Sequence, residues 1–213
     1  LRTAAGQQAG KFDDEIVPFR LEPSRKHPEG ELFARDEGWR GDTTLDKLAK
    51  LRTVFKKDGT VTAGNACTMG DAACAIVLTT REKARALGLT PIFSVVSFAE
   101  TAVEPSMMGD GPGASVPLAL SAARMTLADM DFIEVNEAFA AQILANERAL
   151  GWNRERVNAW GGAIALGHPT GFTGARLLLT LSSSLRRHDK ELGVAGICGG
   201  GGVTTAMVIR RES

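Results

Sequence analysis

The sequence predicts an α/β fold in which helices cover a mixed sheet. From Ile92 onward, short apolar segments alternate with longer segments whose apolar residues recur at helical spacing. Such an alternation of strands and helices is typical of a sheet with helices packed on it. The last two apolar segments, Val194–Cys198 and Val203–Arg210, are separated by only four glycines. A connection this short joins antiparallel strands, so we expect a hairpin at one edge of the sheet.

The first 60 residues are polar and irregular. They open on Leu1 with a stretch that reads as the second half of a helix, so we expect the chain to begin inside a larger fold. The apolar residues at positions 45, 48, 51 and 55 recur at helical spacing. They predict an amphipathic helix over Thr44–Phe55, with Asp42 or Thr43 as its cap. The rest of this region is expected to run over a surface.

The elements after residue 60 are predicted from the same two patterns, short apolar runs and apolar residues at helical spacing. The apolar run Ala72–Thr79 predicts a buried helix or strand, and Thr80–Leu87 predicts an exposed helix that Gly88 ends. Gly151 ends another helix in the same way. Strands are also predicted at Ile92–Phe98 and Phe132–Val135. Helices are also predicted at Ser115–Met125, Glu137–Leu150 and Thr173–His188.

Composition is that of an ordinary folded, soluble protein. Of the 213 residues, 44% are hydrophobic and 23% are charged. The 25 basic residues balance the 25 acidic residues, so charge gives no indication of a nucleic-acid or membrane partner. Three cysteines without regular spacing predict a reducing compartment rather than a disulfide framework. No apolar run approaches the ~20 residues that span a bilayer, and no signal peptide is visible, so we expect a cytoplasmic protein.

His168 lies in the glycine-rich stretch Asn158–Gly174, between a flexible glycine and a rigid proline. Glycine and proline each fix a backbone geometry that most residues cannot adopt. Two interpretations stay open. His168 is either a buried, hydrogen-bonded and inert histidine, or a base or hydrogen-bond donor, since imidazole exchanges a proton near neutral pH.

Cys198 follows a predicted strand and precedes the glycine run that includes Gly200. A buried structural cysteine is one interpretation. The other starts from the glycines, which remove side chains beside the thiol so that backbone N–H groups and a ligand can approach closely. That arrangement suits an oxyanion hole of main-chain donors next to a thiol that acts as an acid or base.

Asn136 stands between the strand Phe132–Val135 and the following helix. It is either a helix cap or a residue that fixes a water molecule, a role that needs both a donor and an acceptor. The other two histidines point to other roles, with His188 at a helix end and His27 in an exposed charged loop. No histidine stands at metal-ligand spacing from the remaining cysteines, at positions 67 and 74, so no metal site is predicted.

Three motifs occur in order along the chain: NEAF at 136–139, GHP at 167–169 and CGG at 198–200. Their order and spacing resemble the thiolase family. The likeness extends over nearly the whole chain, since the segments TTLDKLAKLR at 43–52 and GTVTAGN at 59–65 are also similar to family segments. It implies a thiolase-like fold, the C-terminal half of the family's five-layer α/β architecture, and a thiolase-type acyltransferase.

The resemblance implies roles for four catalytic residues. His168 would activate a nucleophilic cysteine and, with a water held by Asn136, would stabilise the enolate oxygen of the thioester. Cys198 would be the second, acid/base cysteine, and the Gly200 N–H would contribute to the oxyanion hole for the tetrahedral intermediate. The nucleophilic cysteine belongs to an N-terminal half that this chain does not contain, so the chain alone is expected to be inactive.

The resemblance also implies a pocket for coenzyme A and the acyl group, in which CoA is a substrate and no separate cofactor is used. Its lining residues would be Arg40, Phe55, Cys67, Met108 and Phe139. Two departures from the family pattern bear on substrate preference. Cys67 matches a position that is often serine, and Ala72 replaces the glycine that usually follows the aspartate.

The same comparison implies three parts of the chain. Residues 1–64 would be the trailing part of a loop domain over the CoA site, residues 65–88 a remnant of the N-terminal half, and residues 89–213 the C-terminal domain. The implied partners are acyl-CoA or CoA, the missing N-terminal half in the same or a separate chain, and further copies in a homo-oligomer, a dimer or tetramer. Such an enzyme would belong to fatty acid metabolism.

Three functions stay open. The first is an acyl-CoA C-acyltransferase, of which this chain is the C-terminal portion, that performs thiolytic cleavage or Claisen condensation. The second is a non-catalytic half-subunit that completes a site or scaffold supplied by another chain. The third is a self-contained hydrolase that uses Cys198 and His168.

Overall fold

The first 60 residues form small elements in the computed structural model, which describes residues 1–212. Helix α1 spans Arg2–Gln8, where the sequence predicts helical structure. Strands β1 (Phe19–Leu21) and β2 (Glu31–Phe33) form an antiparallel hairpin. The sequence does not predict this hairpin, because each strand has only three residues and all of them are exposed.

Helix α2 is shorter than predicted. It spans only Leu45–Ala49, and its cap is Thr44, whose hydroxyl accepts the N–H of Lys47, so neither Asp42 nor Thr43 has this role. The prediction of a helix through Phe55 is wrong because its apolar residues are not buried. The side chain of Leu45 is 84% exposed and that of Phe55 is 72% exposed. A short helix without a buried face is not extended by propensity alone.

Residues 65–88 begin as a strand-like piece and end as a helix. The Asn65 carbonyl accepts the Ala140 N–H at 2.8 Å, and the Cys67 N–H donates to the Ala138 carbonyl at 3.0 Å. The prediction for positions 72–79 is wrong: this run is neither helix nor strand and is largely exposed, because no strand in residues 1–212 pairs with it. Helix α3 (Arg81–Ala86) confirms the predicted exposed helix.

A four-stranded mixed sheet forms the centre of the fold. Its strands are β3 (Phe93–Ala102), β4 (Phe132–Val135), β5 (Leu192–Cys198) and β6 (Val203–Arg211), in the spatial order β3-β6-β5-β4. Strand β6 is antiparallel to both of its neighbours, and β5 is parallel to β4. The predicted β5–β6 hairpin is confirmed, but its place at an edge is wrong. Strand β3 hydrogen-bonds to the other side of β6, which makes β6 internal.

Two helices cover one face of the sheet. Helix α4 (Gly111–Ala122) and helix α5 (Ala140–Leu150) pack over a core that includes Val116, Ile133 and Val208. Helix α4 begins one turn before the predicted start, because Pro112 fits the first turn of a helix, where its missing N–H is not needed. Helix α5 ends at Gly151, which has a φ of +63°, as predicted.

Helix α7 lies between the opposite face of the sheet and the N-terminal residues. It spans Thr173–Arg187, follows the one-turn helix α6 (Ala163–Leu166), and places Leu177, Leu181 and Leu185 against the sheet. Its other side faces residues 1–16, where Thr180 donates a hydrogen bond to Glu15 at 2.8 Å. No helix among residues 1–212 is long and apolar enough to cross a membrane.

A buried cluster of ionisable side chains lies between α7 and β4. The side chains of Glu134 and Arg176 are both less than a tenth exposed, and Glu134 Oε2 lies 3.6 Å from Arg176 Nη1. Burial raises the pKa of Glu134 to about 8, although the Arg176 guanidinium opposes this rise. Burial also raises the pKa values of Glu15 and Asp36. The charge of Arg176 opposes this rise for both residues.

We expect the contribution of Glu134 to the free energy of unfolding to fall as the pH rises from about 4.5 to about 8. The pKa of Glu134 is about 8 in the folded chain against an ordinary value of 4.5, so the folded state holds an extra proton in this window. The stability that this proton contributes is fully present below the ordinary pKa and is lost as the pH rises through the folded-state pKa. The slope for one proton is up to ~1.4 kcal/mol per pH unit.

Urea unfolding of Glu134→Gln across this pH window tests the expectation. Glutamine cannot ionise, so the variant should lose less stability than the parent as the pH rises. The matched control is Glu147→Gln, which removes an exposed carboxylate whose pKa is lowered by its hydrogen bond to Arg154. Its pH dependence in this window should follow the parent. Equal slopes for the parent and Glu134→Gln would contradict the assignment of the extra proton to Glu134.

Candidate active site

His168 is held by the loop between α6 and α7. Gly167, immediately before it, has a φ of +88°, a backbone conformation that favours glycine. The His168 N–H donates to the Thr68 carbonyl at 2.7 Å. Its ring nitrogen Nδ1 lies 2.6 Å from Oγ1 of Thr173, the first residue of α7. The half-buried ring is therefore oriented from both sides of the loop.

The contact with Thr173 favours one tautomer of the neutral His168 ring. The Thr173 hydroxyl has one proton, and it donates this proton to the Pro169 carbonyl at 3.0 Å. The hydroxyl oxygen is then left to accept, so His168 Nδ1 carries the ring proton and donates it. The other nitrogen, Nε2, is unprotonated in this tautomer and can accept a proton. These contacts favour the interpretation of His168 as a base, and the catalytic role itself stays a prediction.

The surroundings of His168 favour its neutral form. Burial lowers the pKa of the ring, and the nearby Arg176 guanidinium lowers it further. Arg176 is three residues after Thr173 on α7, so the same helical turn that orients the ring also carries this positive charge. A neutral imidazole is the form that can remove a proton from a thiol.

Asn136 lies at the carboxyl end of β4, where its N–H donates to the Gly196 carbonyl at 3.0 Å. Its side chain is fully buried, and neither the amide nitrogen nor the amide oxygen has a hydrogen-bond partner within residues 1–212. The helix-cap interpretation is wrong, because α5 begins only at Ala140 and Phe139 occupies its cap position. Leaving a buried amide unpaired is costly, which favours the interpretation that Asn136 binds a water or a ligand.

Asn136 and His168 lie on the same side of the sheet. Side chains two residues apart on a strand share a face. Phe132 and Glu134 precede Asn136 at this spacing; Phe132 packs in the core beneath α7, and Glu134 faces Arg176 of α7. His168 is bonded to the first residue of that helix. The structure thus brings the end of β4 and the His168 loop to the N-terminal end of α7.

Cys198 ends β5, the strand next to β4. Its side chain is 6% exposed, and burial raises the pKa of its thiol, with a smaller contribution from Cys67. A thiol with a raised pKa stays protonated near neutral pH, which suits a proton donor. Gly200 is exposed, and an added Cβ there would meet no atom within 4 Å, so this backbone is open to a ligand.

An apolar groove of about 360 Å³ contains two of the implied pocket residues. The rings of Phe55 and Phe139 meet edge to face, with 6.0 Å between their centroids. Met107 lines the groove, whereas the neighbouring Met108, which the resemblance implies, is half-buried outside the lining. The other lining residues include Val61, Gln142 and Ala145. The apolar walls suit an acyl chain or the uncharged part of a CoA arm.

The other implied pocket residues, Cys67 and Arg40, are placed differently. Cys67 is half-buried, pairs with the NEAF segment through Ala138, and influences the thiol of Cys198. Arg40 is exposed on a loop outside the groove, where its carbonyl accepts the Thr43 hydroxyl at 2.8 Å. The structure therefore brings Cys67 to the site and does not bring Arg40 to the groove.

A second, open cavity of about 480 Å³ adjoins the His168 loop. It lies between residues 70–74 and residues 169–172, and Cys74 Sγ is 3.7 Å from the Phe172 carbonyl oxygen. Cys74 is exposed and belongs to no helix, contrary to the prediction for its segment. Across residues 1–212, no group of three or more His, Cys, Asp or Glu side chains could hold a metal ion.

Sequence reasoning missed Asn158 and Glu137 as residues that position the site. The Asn158 amide accepts the Val135 N–H at 2.8 Å and donates to the Val135 carbonyl at 2.9 Å and to a Glu137 oxygen at 3.2 Å. The other Glu137 oxygen accepts the N–H of Ile164 in α6. Glu137 belongs to the NEAF motif, and Asn158 begins the glycine-rich stretch that contains His168. Their position beside Asn136 and before His168 was a signal, but their partners lie more than 20 residues away in the chain.

Comparison with protein families gives two matches. The family model of the thiolase C-terminal domain matches residues 89–211, and that of the thiolase N-terminal domain matches residues 2–82. The three-part division at residues 64 and 88 stays a prediction.

Curated relatives and solved structures agree with these matches. Acetyl-CoA acetyltransferases of Chromobacterium violaceum and Escherichia coli are 49% and 46% identical to 99% of this chain. The alignments cover 53% and 52% of these relatives, so the chain spans about half the length of the curated relatives it matches. The crystal structure of Bacillus anthracis acetyl-CoA acetyltransferase has a TM-score of 0.95 at 41% identity, with 99% of this chain and 52% of that one covered. The crystal structure of human mitochondrial 3-ketoacyl-CoA thiolase has a TM-score of 0.91 at 39% identity, with 100% of this chain and 52% of that one covered. The predicted fold class is confirmed.

Thr173→Val should release the tautomer of His168. Valine cannot accept the Nδ1–H, so the neutral ring should shift toward the form that is protonated at Nε2. The ¹⁵N chemical shifts of the imidazole nitrogens, measured above the pKa of the ring, report this change. The chain has three histidines, and His27→Gln and His188→Gln identify the signal. Thr180→Val is the matched control, because its hydroxyl bonds Glu15 instead. Unchanged nitrogen shifts in Thr173→Val would contradict the assigned hydrogen bond.

Proposed function

Because this chain belongs to the thiolase family, we propose that the complete protein is an acyl-CoA C-acyltransferase that cleaves or forms 3-ketoacyl-CoA. The observation that carries the proposal is the buried Asn136 amide, which has no hydrogen-bond partner for either polar atom within residues 1–212. It ends the strand that packs beneath α7, and the first residue of α7 orients a histidine ring with Nε2 free to accept a proton. No cofactor is part of the proposal, and CoA is a substrate.

In the proposed mechanism His168 acts first. Its Nε2 takes the proton of a nucleophilic cysteine, which the other half of the thiolase subunit supplies, and the thiolate attacks the acyl carbonyl. The protonated ring then carries an Nε2–H that donates to the oxygen of a thioester enolate. A water held by the Asn136 amide donates to the same oxygen. Donors that are fixed before the reaction stabilise the developing negative charge without having to reorganise.

Cys198 transfers the proton at the α-carbon in this mechanism. In cleavage, the bond between the α-carbon and the ketone carbon breaks, and the Cys198 thiol donates its proton to the resulting enolate carbon. The CoA thiol then returns a proton to Cys198 and takes the acyl group from the nucleophilic cysteine, which leaves as a thiol with the proton of His168. In condensation, the Cys198 thiolate removes the α-proton from acetyl-CoA, and the resulting enolate attacks the carbonyl of the acyl-enzyme. The raised pKa of the buried thiol supports the first direction, because the resting residue holds the proton that has to be delivered. The Gly200 N–H would donate to the oxygen of the tetrahedral intermediate.

A non-catalytic half-subunit is the second candidate. One observation favours it: the apolar positions 77 and 78 are 86% and 76% exposed in a run without regular structure. Such a surface suits cover by another chain or domain. A homo-oligomer and a cytoplasmic location are further parts of the proposal, based on the family and on composition.

The first test compares this chain with the complete protein. We expect CoA-dependent cleavage of acetoacetyl-CoA by the complete protein and none by the 213-residue chain alone, because without the nucleophile no acyl-enzyme forms. The chain alone should not gain activity on simple thioesters either, which would be the mark of a self-contained hydrolase. Thiolysis by the purified chain would contradict the proposed division of catalytic groups. Its absence from the folded, complete protein would favour the half-subunit.

The second test separates acylation from proton transfer in the complete protein. Cys198→Ala should reduce exchange of the acetyl-CoA α-proton with solvent by ~10²–10⁴-fold, the usual contribution of a general acid or base. Acylation of the nucleophile should be retained, since His168 serves that step. Cys74→Ala is the matched control, because this cysteine is exposed and should leave both steps unchanged. Normal α-proton exchange in Cys198→Ala would remove Cys198 from its assigned role.

A further inference from the structure

Glu134 and Arg176 form a buried pair that the proposed chemistry does not use. Among the acid–base side-chain pairs in residues 1–212, it is the one in which both side chains are less than a tenth exposed, and its carboxyl group is mostly protonated at neutral pH because burial raises the Glu134 pKa to about 8. The 3.6 Å between Nη1 and Oε2 is too long for a direct hydrogen bond, and both terminal nitrogens of Arg176 lack a partner in the described part of the chain. Replacing such a pair by apolar residues is often neutral or even stabilising, so stability does not explain it.

The position of the pair relative to the candidate site suggests a role other than stability. Glu134 is two residues before Asn136 on β4, and their side chains share one face of the sheet. Arg176 is three residues after Thr173 on α7, one helical turn away on the same side of the helix. Thr173 in turn holds His168 Nδ1. The pair therefore connects the strand that ends at Asn136 with the helical turn that orients His168.

The pair also sets the charge near His168. Arg176 is a permanent cation, and it is the charged group that acts on the His168 ring, in the direction that favours the neutral form. Three carboxyl groups from three other segments face Arg176: Glu134 of β4, Glu15 after α1 and Asp36 after β2. The charge of Arg187, in the last turn of α7, also lowers the pKa of Glu15.

We propose that Glu134 and Arg176 are positioning residues for the reaction. Packed against each other, they fix the end of β4 against the first turn of α7, which keeps Asn136 and His168 convergent, and the Arg176 cation adds to burial in favouring the neutral His168 ring. The catalytic consequence rests on the proposed function. The effect on the His168 ring does not, and it can be measured without any turnover.

The first experiment follows the titration of His168 by ¹⁵N NMR in the chain described. In Arg176→Met we expect His168 to titrate at higher pH than in the parent, and Arg176→Lys, which keeps a cation, should restore much of the parent behaviour. His27 and His188 serve as internal references. The matched control is Arg154→Met, which breaks an exposed pair with Glu147 and should not move His168. If Arg176→Met does not fold, the double variant Glu134→Leu/Arg176→Met, without a lone buried charge, replaces it. A folded variant with unchanged His168 titration overturns the proposal.

The second experiment measures thiolysis by the complete protein carrying the same substitutions. A misplacement of catalytic groups by about 1 Å can cost ~10²-fold in rate, so we expect kcat to fall by about this factor with little change in KM. The acidic limb of the pH–rate profile for acylation should move to higher pH, which a merely structural defect would not produce. Unchanged kcat and pH profile in a folded variant overturn the catalytic part. If the complete parent protein shows no thiolysis, the proposed function is wrong. The NMR result would then still test whether Arg176 acts on the His168 ring.

Discussion

The free side of β4 is the constraint on which the candidate site depends. This edge strand is buried from Ile133 to Asn136, so its outward backbone groups need partners other than water. Asn158 supplies them almost alone: its N–H bonds the Ile133 carbonyl, and its side-chain amide bonds both backbone groups of Val135. Its φ of +45° is a conformation that asparagine tolerates better than most residues. The same amide reaches Glu137, which holds α6 and hence the start of the His168 loop.

Polar groups are concentrated where β4 meets α7. One face of α7 is a leucine row against the sheet, while the side toward residues 1–16 carries buried threonine and serine. At its first turn, Thr173 and Arg176 orient a ring and place a cation in a region of low polarity. Low polarity strengthens each of these interactions and raises the cost of any group left unpaired. The unpaired amide of Asn136 is therefore a feature that a functional site explains better than folding does.

The sequence predicts those elements whose apolar pattern matches their final burial. Strand β4 and helix α7 lie within one residue of their predicted bounds, because both bury a regular face. The helix over Thr44–Phe55 and the buried run at 72–79 fail for the opposite reason: most of their apolar side chains stay exposed in residues 1–212. Three residues of the candidate site, His168, Asn136 and Cys198, could be predicted from sequence motifs that lie next to glycines or at strand ends. Their supports, Asn158, Glu134 and Arg176, depend on partners distant in sequence, which no local periodicity reports.

The exposed run at positions 72–79 has a consequence for the behaviour of the chain in solution. It reads AACAIVLT, with no proline, no glycine and no charge, and its backbone belongs to no sheet of the described structure. Segments of this kind pair readily with copies of themselves and begin aggregation. Asp71 and Arg81 lie just outside the run, and charged residues at such positions oppose this pairing. The solubility of this chain therefore depends on whether that segment is covered, so self-association is an expected property of the uncovered chain.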